Sequence, residues 1–268
     1  MGSARRRSGG GEEEEQKEEK GMTEVEIKLR LTSRDSYERA AALFESEHRA
    51  THEQENFFFD GAEQELAAQR AVLRLRFFDT ASFDADTRTA SARCVMTLKG
   101  KSVIRDGVGV APEVEHDISV EDGRRCIREP NHILNLTDIS AAASTPGVPA
   151  DDATSVCRQN PSSAIVRDVV DRFKVQTFVC LGGFTNRRQV YEWRVADEVA
   201  AGTNVPDEVL HIELDETRFA HATVHEVEVE TGSPELVKPI LEQKLRAAGV
   251  DFRNSVRSKF QIFREGKL

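Results

Sequence analysis

The chain has 268 residues, of which 38% are hydrophobic and 31% charged, the balance of a soluble globular protein with an unusually charged interior or surface. No apolar run approaches the roughly 20 residues needed to cross a bilayer, so no membrane partner is expected. A formal net charge of −10 argues against nucleic acid, whose binders present a basic face, but it leaves small anions open, because a lined cavity can invert the global sign. Cys94, Cys126, Cys157 and Cys180 are widely spaced with no Cys-x-x-Cys pair. Free thiols in a reducing, cytoplasmic compartment are therefore expected, rather than a zinc cluster or disulfides. The basic run at 5–7 leads into Gly and Glu, unlike a signal peptide, and Arg6 stands where a myristoylation motif has Ser or Thr.

In chain order, residues 1–21 read as a disordered acidic tail, rich in Gly and Glu and nearly free of apolar side chains. One domain is expected over 22–268, with a flexible loop at 80–92 and a flexible insertion near 140–161, rich in Ala, Ser, Thr, Asp and Pro. Period-2 alternation predicts strands at 24–31, 71–77, 94–99, 113–118, 189–195, 211–215, 224–230 and 259–263, with a further strand at 56–60 ahead of Gly61. Helices are predicted at 35–47 with Ser33 as cap, at 163–173, and from Ser233 to about Ala248. In the last, Ser233 caps, Pro234 opens, Gly249 ends, and Pro239 should kink the helix or split its first turn.

Each strand has one apolar and one charged face. Val25, Ile27, Leu29 and Leu31 oppose Glu24, Glu26, Lys28 and Arg30. Val72, Leu73 and Leu75 flank Arg74 and Arg76, which point the same way. Ile212 and Leu214 oppose His211, Glu213 and Asp215; Val227 and Val229 oppose Glu226, Glu228 and Glu230; Phe260 and Ile262 oppose Lys259 and Gln261. A single strand of this kind is explained by one wet face of an antiparallel sheet. The set is harder to explain so, because like charges stack on one face and repel unless a counter-charge lies between them. The pattern implies charged faces converging on a common cavity, with apolar faces covered by helices: a mainly β (α+β) barrel with a polar lumen.

The inventory of that lumen suggests its ligand. Carboxylates at i, i+2 lie about 6.5–7 Å apart along a strand, and such hard oxygen ligands suit Mg²⁺ or Mn²⁺ rather than zinc. Lys28, Arg30, Arg74, Arg76, Lys99, Arg188 and Lys259 supply more cations than one carboxylate ligand needs, and arginine forks match phosphate oxygens. Divalent metal with several Arg and Lys is a recurrent kit for phosphoryl transfer.

With these residues in view, the chain resembles the triphosphate tunnel metalloenzymes of the CYTH superfamily. Glu24, Glu26 and Lys28 match the Glu-x-Glu-x-Lys signature of the first strand. Ala71-Val72-Leu73-Arg74-Leu75-Arg76-Phe77 matches the double-arginine strand, Thr97-Leu98-Lys99 the lysine strand, Glu226-Val227-Glu228-Val229-Glu230-Thr231 the late acidic strand, and Ser258-Lys259-Phe260 the final lysine segment. Phe178-Val179-Cys180-Leu181-Gly182-Gly183-Phe184 and Tyr191-Glu192-Trp193 are similar to the plant-type tripolyphosphatase branch. The resemblance implies an eight-stranded antiparallel tunnel holding a divalent cation and a linear triphosphate. It implies catalysis centred on Glu24, Glu26 and Lys28, metal on Glu24, Glu26, Glu228 and Glu230, and phosphates on the seven cations. Glu226, Glu213 and Asp215 are further carboxylates for a second metal or a water. Glu113 and Glu115 lie on a strand that varies within the family.

The function expected is metal-dependent hydrolysis of tripolyphosphate to pyrophosphate and phosphate by a monomer with a small-molecule partner. Thiamine triphosphatase, nucleotide or RNA triphosphatase, class IV adenylyl cyclase and a non-catalytic polyphosphate binder are the alternatives. Trp193 has a core reading, and His221 with His225 straddles a strand entry rather than forming a metal pair.

Overall fold

The computed structural model describes residues 22–79, 93–137, 161–198 and 209–268; the predicted tail, the 80–92 loop and the insertion up to residue 160 lie outside them. Eight strands close a ring: β1 (Met22–Leu31), β2 (His48–Gly61), β3 (Val72–Asp79), β4 (Arg93–Lys99), β6 (Val108–Ile118), β7 (Phe178–Arg194), β8 (Val209–Arg218) and β9 (Thr223–Glu230). Two short strands, β5 (Val103–Arg105) and β10 (Phe252–Asn254), flank it. The order is β10-β1-β9-β8-β7-β2-β3-β4-β6-β5, and an added β1–β6 pairing closes the barrel. Every pairing is antiparallel.

Closure buries the apolar faces outward, under helices. Ile27, Leu29, Ile212 and Val227 pack beneath α1 (Arg34–Leu43) and α5 (Pro234–Ala247) with Ala40, Leu241 and Leu245. Leu73, Leu75 and Met96 pack with Leu66 of α2 (Glu65–Ala68), Cys126 of α3 (Val120–Arg128) and Val166 of α4 (Pro161–Asp171). Each large apolar side chain fully buried in these shells contributes roughly 1.5–3 kcal/mol. With both shells outside the ring, the charged faces have nowhere to point but inward. No helix of the described residues is long and apolar enough to cross a membrane.

Several elements differ from the sequence reading. The segment predicted as a strand at 259–263 is a helix, α6 (Lys259–Glu265). Ser258 and Gln261 form a reciprocal capping box there, and two satisfied end donors outweigh a short alternating pattern. α1 ends at Leu43, before a 3₁₀ turn at Glu45–Glu47. α5 runs unbroken through Pro239, held by buried Val237, Leu241 and Leu245. Ser233 occupies its N-cap position without a side-chain cap bond; the Thr231 hydroxyl instead accepts from the Ser233 N–H at 3.1 Å. α3, β5 and β10 were not anticipated.

β7 crosses β2 with a register shift between Phe58 and Phe59. A Cβ at Gly183 would sit 1.7 Å from the Asn56 carbonyl oxygen, so only glycine permits this close approach.

Candidate active site in the tunnel

The inward faces enclose a cavity of about 710 Å³, within the roughly 300–1,000 Å³ typical of small-molecule sites. Glu24, Glu26, Lys28, Arg74, Arg76, Lys99, Arg188, Glu213, Glu228, Glu230 and Lys259 line it. Strands distant in sequence bring them together: Lys28 stands opposite Glu228 and Glu26 opposite Glu230 across β1–β9, and Glu213 stands opposite Glu228 across β8–β9. Although Lys259 lies on a helix rather than a strand, its Nζ reaches Glu228 Oε1 at 2.5 Å and Asp215 Oδ2 at 2.7 Å.

Glu228 is the hub of the buried charges. Its carboxylate accepts from Lys28 Nζ at 2.7 Å, Arg188 at 2.8 Å and Lys259 at 2.5 Å. Burial alone would raise its pKa, but Lys259, Lys28 and Arg188 outweigh burial and hold it well below the usual range. Arg188 also pairs with Asp215 at 2.6 Å and with Glu213.

Arg76 is the exception among the seven predicted cations, the other six being ion-paired. Its Nε donates to Asn56 Oδ1 at 3.0 Å, and no carboxylate of the described residues lies within ion-pair distance. Burial, with Arg74 and Arg188 beside it, pushes its pKa down to about 10. The tunnel therefore holds a half-buried positive charge that no directly paired carboxylate of the described residues cancels, Glu115 and Glu213 acting on it only from a distance.

Other predicted residues lie elsewhere on the inward face. Arg30 is off the cavity, donating to Glu226 Oε1 from Nε at 3.2 Å and from Nη2 at 3.1 Å, while Ser255 Oγ donates to the same oxygen at 2.7 Å. Glu226 and Asp215 are 1% and 0% exposed and belong to this buried ion-pair layer rather than to the cavity wall. His225 instead packs against Tyr37, ring centroids 4.8 Å apart and tilted by 44°, and Trp193 is buried with its Nε1 on Glu198 Oε1 at 3.2 Å.

The cavity also contains residues that the sequence reading left out or gave no role. Glu113 and Glu115 both line it; Arg74 donates to Glu115 at 3.0 Å and Thr97 donates to the same carboxylate at 2.7 Å. Gln54, Asn56 and Asn186 form a buried amide layer in which Asn186 Nδ2 donates to Gln54 Oε1 at 3.1 Å and to Asp215 Oδ1 at 2.9 Å. Their signal was visible: Gln54 and Asn56 alternate with Glu55 and Phe57 on β2. Arg70 and Arg264 stand at the rim.

The acidic wall fits a hard divalent cation by its donor chemistry. Glu24, Glu26 and Glu230 crowd one side: burial, then Glu24 and Glu26, raise the pKa of Glu230, which has no cationic partner among the described residues within ion-pair distance. Burial and a hydrogen bond with Glu24 push Glu113 up to about 8, while bonds from Glu113 and Lys99 overcome burial to bring Glu24 down to about 2. Crowded oxygen donors sharing protons are what a divalent ion relieves. As the side chains are arranged, no three His, Cys, Asp or Glu of the described residues converge as a ready coordination shell. Lys99 Nζ, 2.6 Å from Glu24 Oε2, and Lys28 Nζ, 2.8 Å from Glu26 Oε2, hold two of the donors.

Residues 22–257 match the CYTH domain family. Among solved structures, the chain is similar to HpAC1 from Hippeastrum, assigned as an adenylyl cyclase and described as having a dominant triphosphatase activity. The two share 34% identity over 91% of this chain and 97% of that one, with a TM-score of 0.71. A Bacillus halodurans protein assigned as an adenylate cyclase shares the fold at 15% identity, 90% and 98% coverage and a TM-score of 0.50. No curated protein matches. The chain belongs to the CYTH domain family.

Proposed function

We propose that the protein is a metal-dependent triphosphatase that hydrolyses inorganic tripolyphosphate to pyrophosphate and phosphate. The observation that carries this reading is Arg76: a half-buried guanidinium whose direct partner is the neutral Asn56 is open to an anion from outside, and phosphate oxygens match its fork. Arg74, Lys99, Arg188, Lys28 and Lys259 surround the same space and spread charge neutralisation along a linear substrate. Their fixed placement stabilises charge developing on the leaving pyrophosphate without reorganisation.

A divalent cation, Mg²⁺ in this proposal, neutralises and polarises phosphate oxygens when bound. Glu24, Glu26 and Glu230 would hold it, with Glu228 at the boundary between the acidic and basic walls. Arg30 supports β1 through Glu226 rather than touching substrate. Glu213 is the carboxylate placed to orient water. Burial leads the rise in its pKa, and Asp215 and Glu228 add to it, which suits it to accept a proton as the water oxygen bonds to phosphorus and the bridging P–O bond breaks.

The 34% identity with HpAC1 supports triphosphate chemistry and keeps a nucleotide reading as the second one. Phosphate release from tripolyphosphate, thiamine triphosphate, ATP and longer polyphosphate, with Mg²⁺ and with Mn²⁺, separates them. Fastest release from tripolyphosphate is expected. Binding without release would leave a polyphosphate binder, and cyclic AMP formed from ATP faster than phosphate from tripolyphosphate would make it a cyclase. The acidic net charge supports a small-molecule partner, and we place the protein as a cytoplasmic monomer.

A further inference from the structure

α2 is one turn long and ends in the two bonds of a Schellman close: Arg70 N to Ala67 O at 3.0 Å and Ala71 N to Leu66 O at 2.9 Å. The residue at the centre of that close has φ of +57°, a conformation glycine adopts freely and an L side chain only at a cost. Glycine would complete the same backbone bonds, yet the position holds arginine. Backbone strain kept at a site edge points to a use for the side chain.

The side chain of Arg70 is exposed, lines the tunnel cavity and, among the described residues, donates only to the Ser102 carbonyl, at 3.4 Å. Arg264, in the last turn of α6, is exposed and lines the same cavity. Neither has a carboxylate of the described residues within ion-pair distance. The inner cations differ: Lys28, Lys99, Arg188 and Lys259 are all ion-paired. The lining residues near Arg70 in the chain and at its Ser102 contact, Ala67, Ala71, Gly100 and Ser102, carry no ring. The Phe260 ring on the α6 side is already packed 4.8 Å from Phe58.

We propose that Arg70 and Arg264 form an outer anion subsite that takes the phosphate units of a linear polyphosphate longer than three, its inner end held by the tunnel cations. This rests on the triphosphatase reading and extends its substrate class outward. Two guanidinium forks that line the same cavity without a carboxylate partner can each take a phosphate, whereas a nucleoside would leave both without a charged partner.

Arg70→Gly tests this without risking the fold, because glycine relieves the left-handed backbone. Arg264→Ala tests the contribution from α6. Binding of tripolyphosphate, tetrapolyphosphate and ATP to the full chain is measured by calorimetry with Ca²⁺, an oxygen-seeking stand-in for the catalytic ion, so that the readout does not depend on turnover. The wild type should bind tetrapolyphosphate about tenfold more tightly than tripolyphosphate. Each variant should lose most of that advantage, with tripolyphosphate affinity within about twofold of wild type and, for Arg70→Gly, an unchanged or higher Tm. Equal weakening of both polyphosphates, no weakening of either, or loss confined to ATP would overturn the subsite. A wild-type chain that shows the length preference but releases no phosphate with Mg²⁺ would sink the triphosphatase reading and leave the subsite standing.

Discussion

Arg76 and Asn56 stand directly opposite each other across β2 and β3, and the Arg76 Nε donates to Asn56 Oδ1 at 3.0 Å. An amide orients the guanidinium without cancelling its charge, whereas the neighbouring Arg188 is matched by Asp215, Glu213 and Glu228. Arg76→Ala should raise KM for tripolyphosphate roughly 10- to 100-fold, the loss of a charge-assisted bond of about 1.5–3 kcal/mol. Asn56→Asp, which supplies the missing counter-charge, should move KM the same way with the side chain intact. Steady-state kinetics on both variants checks this, and a wild-type KM in Arg76→Ala removes the phosphate role.

Glu228 and Glu230 share a strand face but should respond differently to loss of charge. Glu228→Gln should abolish turnover and also destabilise the barrel by about 3–5 kcal/mol, because Lys28, Arg188 and Lys259 lose a buried partner. Glu230→Gln should leave the Tm unchanged or slightly raised, since its carboxylate is crowded by Glu24 and Glu26, while Mg²⁺ affinity falls. Thermal unfolding with and without chelator, alongside calorimetric titration of Mg²⁺, separates the two. Equal Tm losses would dissolve the distinction.

Removing metal should expose a pH dependence. Burial and Glu24 raise Glu113 from its ordinary value near 4.5 to about 8, so the folded chain retains a proton that the unfolded chain has released. Stability therefore falls as pH rises from about 4.5 to 8 and levels off above. Glu24, lowered to about 2, acts oppositely, with stability lost as pH falls from about 4.5 toward 2. Urea unfolding of chelator-treated protein across the upper window should show the decline, and Glu113→Gln should flatten it. A slope that persists in that variant assigns the effect to another group.

The cysteines should differ in reactivity. Burial pushes the Cys94 and Cys126 thiols up to about 12, whereas Cys180 is only partly buried. Thiol-specific alkylation of the native protein near pH 8, followed by peptide mapping, should label Cys180 well before Cys94 and Cys126. Equally fast labelling of Cys94 would show that the shell beneath α3 opens readily.

Much of the barrel was legible because strand alternation is local. The period of two sorted Glu24, Glu26 and Lys28 from Val25, Ile27 and Leu29 without knowledge of any partner strand. It likewise placed Arg74 and Arg76, Lys99 and the glutamates of β9 on faces that proved to point inward, whereas Arg188 lay just outside the strand expected at 189–195. Where alternation was too short to discriminate, it misled: at 259–263 the capping box of Ser258 and Gln261 was the stronger local signal and went unread.

Chain position alone could not assign depth or partners. Arg30 follows Lys28 on the same face, yet barrel closure sets it beside Glu226 and away from the cavity. Lys28 meets Glu228 200 positions away, and Lys259 enters the same cluster from a helix. Which carboxylates cancel which cations, and that Arg76 keeps its charge, depends on cross-strand register. The strained Arg70 depends on how one helical turn ends. By itself the sequence determined which side chains face inward, because that follows from backbone geometry within each strand. Only the tertiary structure decided which of those charges neutralise one another, because Coulomb energy depends on distances that closure of the ring creates.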